Sequence, residues 1–214
     1  MVNRHTTPGN RPLLLASGSP RRSQLLREAG YGFDLLIPQV EEAHDASLSP
    51  EALTVKNARR KASAAAHLRP QHLALGADTL VYLDGEPLGK PTTLDEAAAM
   101  LRRLSGRSHE VCTGVWLSWQ GGHAGTGFHV ISRVFFKTMS DDVIHAYHRL
   151  VNPLDKAGGY GIQEHGDMII DHHEGSWTNI MGLPMEALSA QLHALGHALP
   201  SSPQAGIASP EKPA

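Results

Sequence analysis

Hydrophobic and polar positions along this chain switch repeatedly between two periods. Leu13-Leu14-Leu15-Ala16 is a short unbroken apolar run, which predicts a buried strand over Leu13–Ser17. Leu25, Leu26 and Ala29 then recur at helical spacing, so a helix is expected over Pro20–Ala29. A short strand follows over Phe33–Ile37. Ser49-Pro50-Glu51 opens a second helix running to about His67, with proline in its first turn. Leu73–Leu83 reads as a buried strand closed by the turn Asp84-Gly85, with Glu86–Leu88 as its hairpin partner. Thr93–Leu104 places Ala97, Ala98, Leu101 and Leu104 on one helical side. Ser108–Trp119 and His129–Lys137 are β-rich and flank the glycine-rich connection Gly121–Gly125, which predicts a second hairpin. A helix over Ser140–Leu150, a glycine loop over Asp155–Gly161, a strand over Met168–Asp171 and a helix over Pro184–Leu195 complete the pattern. Strands and helices mixed in this order predict an α/β fold, and the hairpins make its sheet mixed rather than purely parallel.

The two ends lack this periodicity. Residues 1–12 hold Pro, Gly, Asn and Thr, residues 200–214 are rich in Pro, Ser and Ala, and both are expected to be disordered. That leaves one domain over residues 13–199 of a 214-residue chain. A hydrophobic share of 41% suffices for a real core, and a net charge of -2 excludes a global basic field for nucleic acid. An anion site in this chain must therefore be local, which suits a small ligand. The single cysteine, Cys112, allows no intrachain disulfide and reads as a small core residue. Residues 1–11 are polar, without a signal-peptide pattern, and no apolar run is long enough to span a bilayer. A cytoplasmic protein without a membrane partner is the expectation.

The chemistry concentrates where strand meets helix at Ser17-Gly18-Ser19-Pro20-Arg21-Arg22. Ser19 can cap the helix and Pro20 suits its first position. Free N–H groups and the positive dipole end then face outward at the turn. Arg21 and Arg22 oppose that dipole, a conflict that a bound anion removes, and their guanidinium forks suit phosphate oxygens.

Gly76-Ala77-Asp78-Thr79 puts a carboxylate inside an apolar strand, where burial is costly unless the group is paired or metal-bound. Lys90 precedes Pro91, Glu41 and Glu42 form an acidic pair, and Lys61 belongs to a basic run of which one member turns inward. Gln163, after the glycine loop, offers a donor and an acceptor suited to a base edge. His172 and His173 are adjacent on an expected strand and point to opposite faces, which makes a poor metal chelate. Cations with a few carboxylates suit a phosphate chain whose Mg²⁺ or Mn²⁺ is held by oxygen ligands. No Walker A sequence and no Gly-x-Gly-x-x-Gly after the first strand are present, which argues against a P-loop NTPase and a Rossmann dehydrogenase.

Taken together, Ala16-Ser-Gly-Ser-Pro-Arg-Arg22, Gly76-Ala-Asp-Thr79, Gly89-Lys-Pro91, Leu104-Ser-Gly-Arg-Ser-His109, Asp155-Lys-Ala-Gly158, Tyr160-Gly-Ile-Gln163 and Met181-Gly-Leu-Pro184 resemble the Maf family of nucleoside triphosphate pyrophosphatases. The resemblance covers roughly Leu13 to Leu195. It implies an elongated mixed sheet flanked by helices, related to the inosine triphosphate pyrophosphatases, with two lobes around a cleft. It also implies hydrolysis of a nucleoside triphosphate to the monophosphate and pyrophosphate with a divalent cation.

By the same resemblance Asp78 matches the catalytic proton acceptor, and Glu42, with Asp78, the metal-holding carboxylates. Arg22, Lys61 and Lys90 match phosphate contacts, and the turn that starts at Ser17 is expected to hold phosphate oxygens with them. Thr79 and Gln163, with Arg21, match the specificity positions of the branch acting on dTTP and UTP. A homodimer is compatible with the family. Two alternatives stay open: a 7-methyl-GTP or purine nucleotide pyrophosphatase, and a non-catalytic nucleotide-binding regulator of cell division.

Overall fold

The computed structural model describes residues 8–45 and 47–197. Of the expected loose ends, residues 1–7 and 200–214 lie outside the described residues. Pro8–Asn10 forms a 3-10 turn, and Arg11 donates to the Pro70 carbonyl at 2.8 Å.

Seven strands form one mixed sheet: β1 (Leu13–Leu15), β2 (Phe33–Leu35), β3 (Leu73–Leu83), β4 (Glu86–Leu88), β5 (Ser108–Trp119), β6 (Ala124–Phe136) and β7 (Ile170–Glu174). Their order is β2-β1-β3-β5-β6-β7, with β4 also paired to β3. β1 runs parallel to β2 and β3, and the remaining pairs are antiparallel. The helices are α1 (Pro20–Glu28), α2 (Pro50–Leu68), α3 (Leu94–Leu104), α4 (Asp141–Leu150), α5 (Trp177–Ile180) and α6 (Met185–Ala194). Ser49, Thr93 and Ser140 cap α2, α3 and α4 through their hydroxyls, which accept from the N–H three residues on. No helix among the described residues is long and apolar enough to cross a membrane.

One face of the sheet carries α2 and the other carries α1, α3, α4 and α6. Odd-numbered residues of β3 make the second face: Leu73, Leu75 and Ala77 join Leu25, Leu26, Leu188 and Leu192 in one hydrophobic cluster, and Val81 and Leu83 join Leu101, Leu104, Ile144 and Tyr147 in another. Even-numbered Ala74 instead packs with Ala65 and Ala66 of α2. The stripe Ala58, Ala62, Ala65 and Ala66 lets α2 lie very close to the sheet, where Gly76 and Gly114 receive it. A β-carbon on Gly76 would stand 2.2 Å from the Ala58 carbonyl oxygen, and one on Gly114 2.3 Å from the Thr54 carbonyl carbon.

Several expected boundaries shift. β6 begins at Ala124 rather than His129, because Gly125 and Gly127 lie flat against the Trp116 indole, which supplies the packing that glycine lacks. The connection shrinks to a 3-10 turn at Gln120–Gly122. The last strand is Ile170–Glu174 rather than Met168–Asp171: Gly166–Met168 is a 3-10 turn, and the polar sequence after Ile170 is held by cross-strand contacts such as the Phe135–His172 stack. The short helix α5, capped by Ser176, has no counterpart in the sequence reading.

Candidate active site

β3 is the spine of the site. One edge pairs with β5 from Ala74 to Tyr82. The other edge pairs with β1 only over Leu73–Leu75 and with β4 only over Val81–Leu83. Between these short partners the strand edge at residues 76–80 opens into a cleft of about 980 Å³. Asp78 and Thr79 stand in that interval, Asp78 toward α2 and Thr79 toward the opposite face.

All nine residues singled out from the sequence line this one cleft: Ser17, Arg21, Arg22, Glu42, Lys61, Asp78, Thr79, Lys90 and Gln163. They come from the β1–α1 turn, the segment after β2, α2, β3, the stretch after β4 and the loop before β7. Their states differ.

Lys61 projects inward from α2, and its ammonium lies 2.6 Å from Glu42 Oε1 and 2.7 Å from Asp78 Oδ1. Asp78 is buried, whereas the Glu42 side chain is half exposed. Partial burial works to raise the Glu42 pKa, but the Lys61 hydrogen bond and the charges of Lys61, Lys90 and Arg22 bring it below the ordinary carboxylate value. Glu42 therefore stays ionised near neutrality.

Arg22 is more committed than a free phosphate ligand would be. Nε donates to the Gly182 carbonyl at 2.8 Å, Nη1 to Ser17 Oγ at 3.0 Å and Nη2 to Thr79 Oγ1 at 3.1 Å. Three of its five N–H groups are spent on protein, and two remain for a ligand. Burial pushes its pKa down, and Asp78 and Glu42 counteract that.

Ser17 Oγ also accepts from the Ser19 N–H at 3.2 Å, which leaves its O–H to donate. Ser19 occupies the N-cap position with extended backbone, but its side chain makes no cap hydrogen bond, contrary to the sequence reading. The turn is closed by Ser17 instead. The main-chain N–H groups of Arg21 and Arg22 are consequently left at the start of α1, where the dipole favours an anion.

Thr79 Oγ1 meets Thr113 Oγ1 at 2.9 Å as well as Arg22, so its hydroxyl sits in a polar network on the cleft floor. Thr113 in turn donates to the Asn179 carbonyl at 3.1 Å. Gln163 and Lys90 are exposed on the cleft wall, and Arg21 is half-buried.

Two cleft residues were missed in the sequence. Asn57 is 3% exposed, one turn before Lys61 on α2, and donates to Asp78 Oδ2 at 3.2 Å. Its spacing from Lys61 within the alanine stripe was a usable signal. Lys156 is buried, donates to the Asn152 carbonyl and to Asp155 Oδ1, and pairs with Glu164 Oε1 at 3.1 Å, so it braces the loop before Gln163 rather than offering charge. Its signal in the sequence was membership of the Asp155-Lys-Ala-Gly158 motif, which by itself assigns no role to the lysine.

The loop around Gly161 is held from below. The Tyr147 hydroxyl accepts from Gly161 N at 3.0 Å and donates to Gly161 O at 3.2 Å. Tyr160 bonds His109 Nε2 at 2.6 Å.

Against known proteins, the model of the family described as "Maf-like protein" matches residues 12–195. The chain is 42% identical over 186 residues to the dTTP/UTP pyrophosphatase of Akkermansia muciniphila, covering 87% of this chain and 97% of that protein. It is 42% identical over 190 residues to the dTTP/UTP pyrophosphatase of Desulforamulus reducens, with the same coverage, and 41% identical over 182 residues to that of Bacillus cereus strain Q1, covering 85% of this chain and 94% of the relative. With every motif but Leu104–His109 contributing to one cleft, and the match running from β1 to the end of α6, the chain belongs to the Maf family.

Proposed function

We propose that this protein hydrolyses dTTP and UTP to the monophosphate and pyrophosphate. One observation carries the reading: two carboxylates and several cations from distant parts of the chain face one cleft large enough for a nucleotide, beside an uncapped helix start. The names of the relatives favour the same substrates.

The donor set agrees with a divalent ion that is shared with substrate. Among the described residues no three His, Cys, Asp or Glu side chains cluster around one point, so there is no all-protein cage. Glu42 and Asp78 are instead drawn to a single position now taken by the Lys61 ammonium. Two carboxylates completed by phosphate oxygens and water suit Mg²⁺ or Mn²⁺. Held by Glu42 and Asp78, the ion would offset phosphate charge and polarise the phosphorus.

The chain's own groups account for the rest. The N–H groups of Arg21 and Arg22, the Ser17 hydroxyl and the two free Arg22 N–H groups hold phosphate oxygens. Asp78 takes the proton from the water attacking the α-phosphorus, and Lys61 orients Asp78 for that transfer. Lys90 offsets charge on the departing pyrophosphate. Gln163 reads the base with its amide, which presents a donor and an acceptor together, as the edge of uracil or thymine requires. Positioning and electrostatics supply the catalysis, as in phosphoryl transfer generally.

A pyrophosphate-release assay over dTTP, UTP, CTP, ITP and 7-methyl-GTP, with Mg²⁺ and with Mn²⁺, tests the assignment. Turnover of dTTP and UTP should exceed the others by about tenfold or more. Preference for ITP or 7-methyl-GTP would replace the pyrimidine assignment, and binding without pyrophosphate release would make the protein a nucleotide-binding module.

A further inference from the structure

Asparagine is a poor residue for the middle of a helix, and an amide is costly to bury unless its polar atoms find partners. Asn57 is both mid-helix and almost fully buried. Its partners explain the placement. Oδ1 accepts from the Ala43 N–H at 2.7 Å, while Nδ2 donates to the Ala43 carbonyl at 3.2 Å and to Asp78 Oδ2 at 3.2 Å. One side chain thus grips both main-chain groups of the residue next to Glu42 and one oxygen of Asp78.

Lys61, one turn along α2, takes Glu42 and the other Asp78 oxygen. The two contacts do different work. An ammonium on a flexible four-carbon stem sets charge but little direction, and Glu42 is half exposed. The amide is short, buried and bound at three points. The segment it grips needs such an anchor: residues 36–45 form no helix or strand. Among the described residues, its main chain is hydrogen-bonded only at Leu36, at Ala43 and at the Asp45 turn.

We propose that Asn57 is a positioning residue that sets the separation of Glu42 and Asp78, by hydrogen-bonding the segment that carries one and the carboxylate of the other. This rests on the reading of those carboxylates as the hydrolytic pair. Misplacement by about 1 Å at such a pair costs on the order of 10²-fold in rate.

The test compares Asn57→Leu and Asn57→Ala with wild type in the full chain. With UTP as substrate, kcat should fall about 10- to 100-fold in both, while KM moves less than about threefold. Binding of a non-hydrolysable UTP analogue in EDTA should be unchanged, and amide hydrogen exchange in the peptide spanning residues 40–45 should quicken in both. Equal losses from two side chains of different volume assign the effect to the amide rather than to packing. If the apolar variants do not fold, Asn57→Asp keeps the shape and the bond from the Ala43 N–H but removes both donated bonds, and the same loss is expected. A folded variant with kcat within about twofold of wild type, or with unaltered exchange at residues 40–45, overturns the proposal. Wild-type protein that releases no pyrophosphate from any nucleotide defeats the hydrolytic reading instead.

Discussion

Lys61 and Asp78 are joined at 2.7 Å across the interface between α2 and β3, and the same ammonium holds Glu42 at 2.6 Å. The Lys61 and Asp78 side chains are only 14% and 8% exposed, so neither charge is solvated well on its own. Lys61→Met should leave two facing carboxylates without a cation. It is expected to lower stability at neutral pH by about 1–3 kcal/mol, the half-exposed Glu42 softening the loss. It should also reduce kcat about 10²–10³-fold. Mn²⁺ should raise the melting temperature of this variant more than that of wild type, because the carboxylates then have no competing cation; thermal scans with and without EDTA check this. Asp78→Asn should abolish turnover with a native-like circular dichroism spectrum, and should lower the melting temperature, because the new amide NH2 must face either Lys61 or the Asn57 amide.

Arg22 serves three acceptors through three different nitrogens. A lysine ammonium cannot span them, so Arg22→Lys should behave as a deletion despite keeping its charge. The Gly182 carbonyl, left with only a 3.4 Å bond from Thr79, and the loosened turn should cost about 1–3 kcal/mol in chemical denaturation, with a loss of about 10² in kcat/KM.

Gln163 is exposed, and its side chain makes no hydrogen bond among the described residues. Gln163→Ala should leave stability unchanged and lower kcat/KM for dTTP and UTP by about tenfold, with little change for other bases. Equal losses across the nucleotide panel would show that the amide does not read the base.

Gly76 tests the approach of α2. Gly76→Ala sets a β-carbon 2.2 Å from the Ala58 carbonyl oxygen and 2.8 Å from the Ala62 nitrogen, both main-chain atoms that cannot swing aside. A loss of about 3 kcal/mol is expected by denaturant titration, accompanied by weaker activity as Asn57 and Lys61 move with the helix. Gly32→Ala, where no atom lies within 4 Å, is the matched control and should be neutral.

His109 confers a pH dependence on stability. Burial lowers its pKa from 6.5 to about 4, and among the described residues its Nδ1 has no hydrogen-bond partner to accept from the imidazolium. Below pH 6.5 the unfolded chain gains a proton that the folded chain refuses, so stability falls as pH drops toward 4. His109→Gln lacks this linkage. The stability difference between wild type and variant should shift by about 3 kcal/mol in the variant's favour between pH 7 and pH 4, measured by denaturant unfolding at each pH.

Most of the order of elements and part of the cleft were legible from local pattern, whereas α5, Asn57 and Lys156 were not, and the specificity role of Thr79 came only from the family resemblance. The apolar run Leu13–Leu15, the β3 run and the serine and threonine helix starts are local properties, set by side-chain period and by the needs of free N–H groups. The motifs around Arg22, Asp78 and Gln163 stood out because charged or amide groups interrupt that pattern. What misled was equally local: the glycines at 125 and 127 read as a loop because the indole that supports them lies on another strand.

Local order of residues fixes most of the strands and helices and marks many of the side chains that carry chemistry, since both follow from neighbours within a turn or a strand. Which of those side chains meet depends on how the sheet and helices pack. The gap between β1 and β4 on the edge of β3 opens the cleft, and no single segment encodes it. Arg22 is spent on a carbonyl 160 residues away, Ser17 rather than Ser19 closes the turn, and Asn57 grips the chain beside Glu42. These contacts are hydrogen bonds between groups remote in the chain. Their partners are chosen by how the layers pack, which leaves no periodic trace in the order of residues.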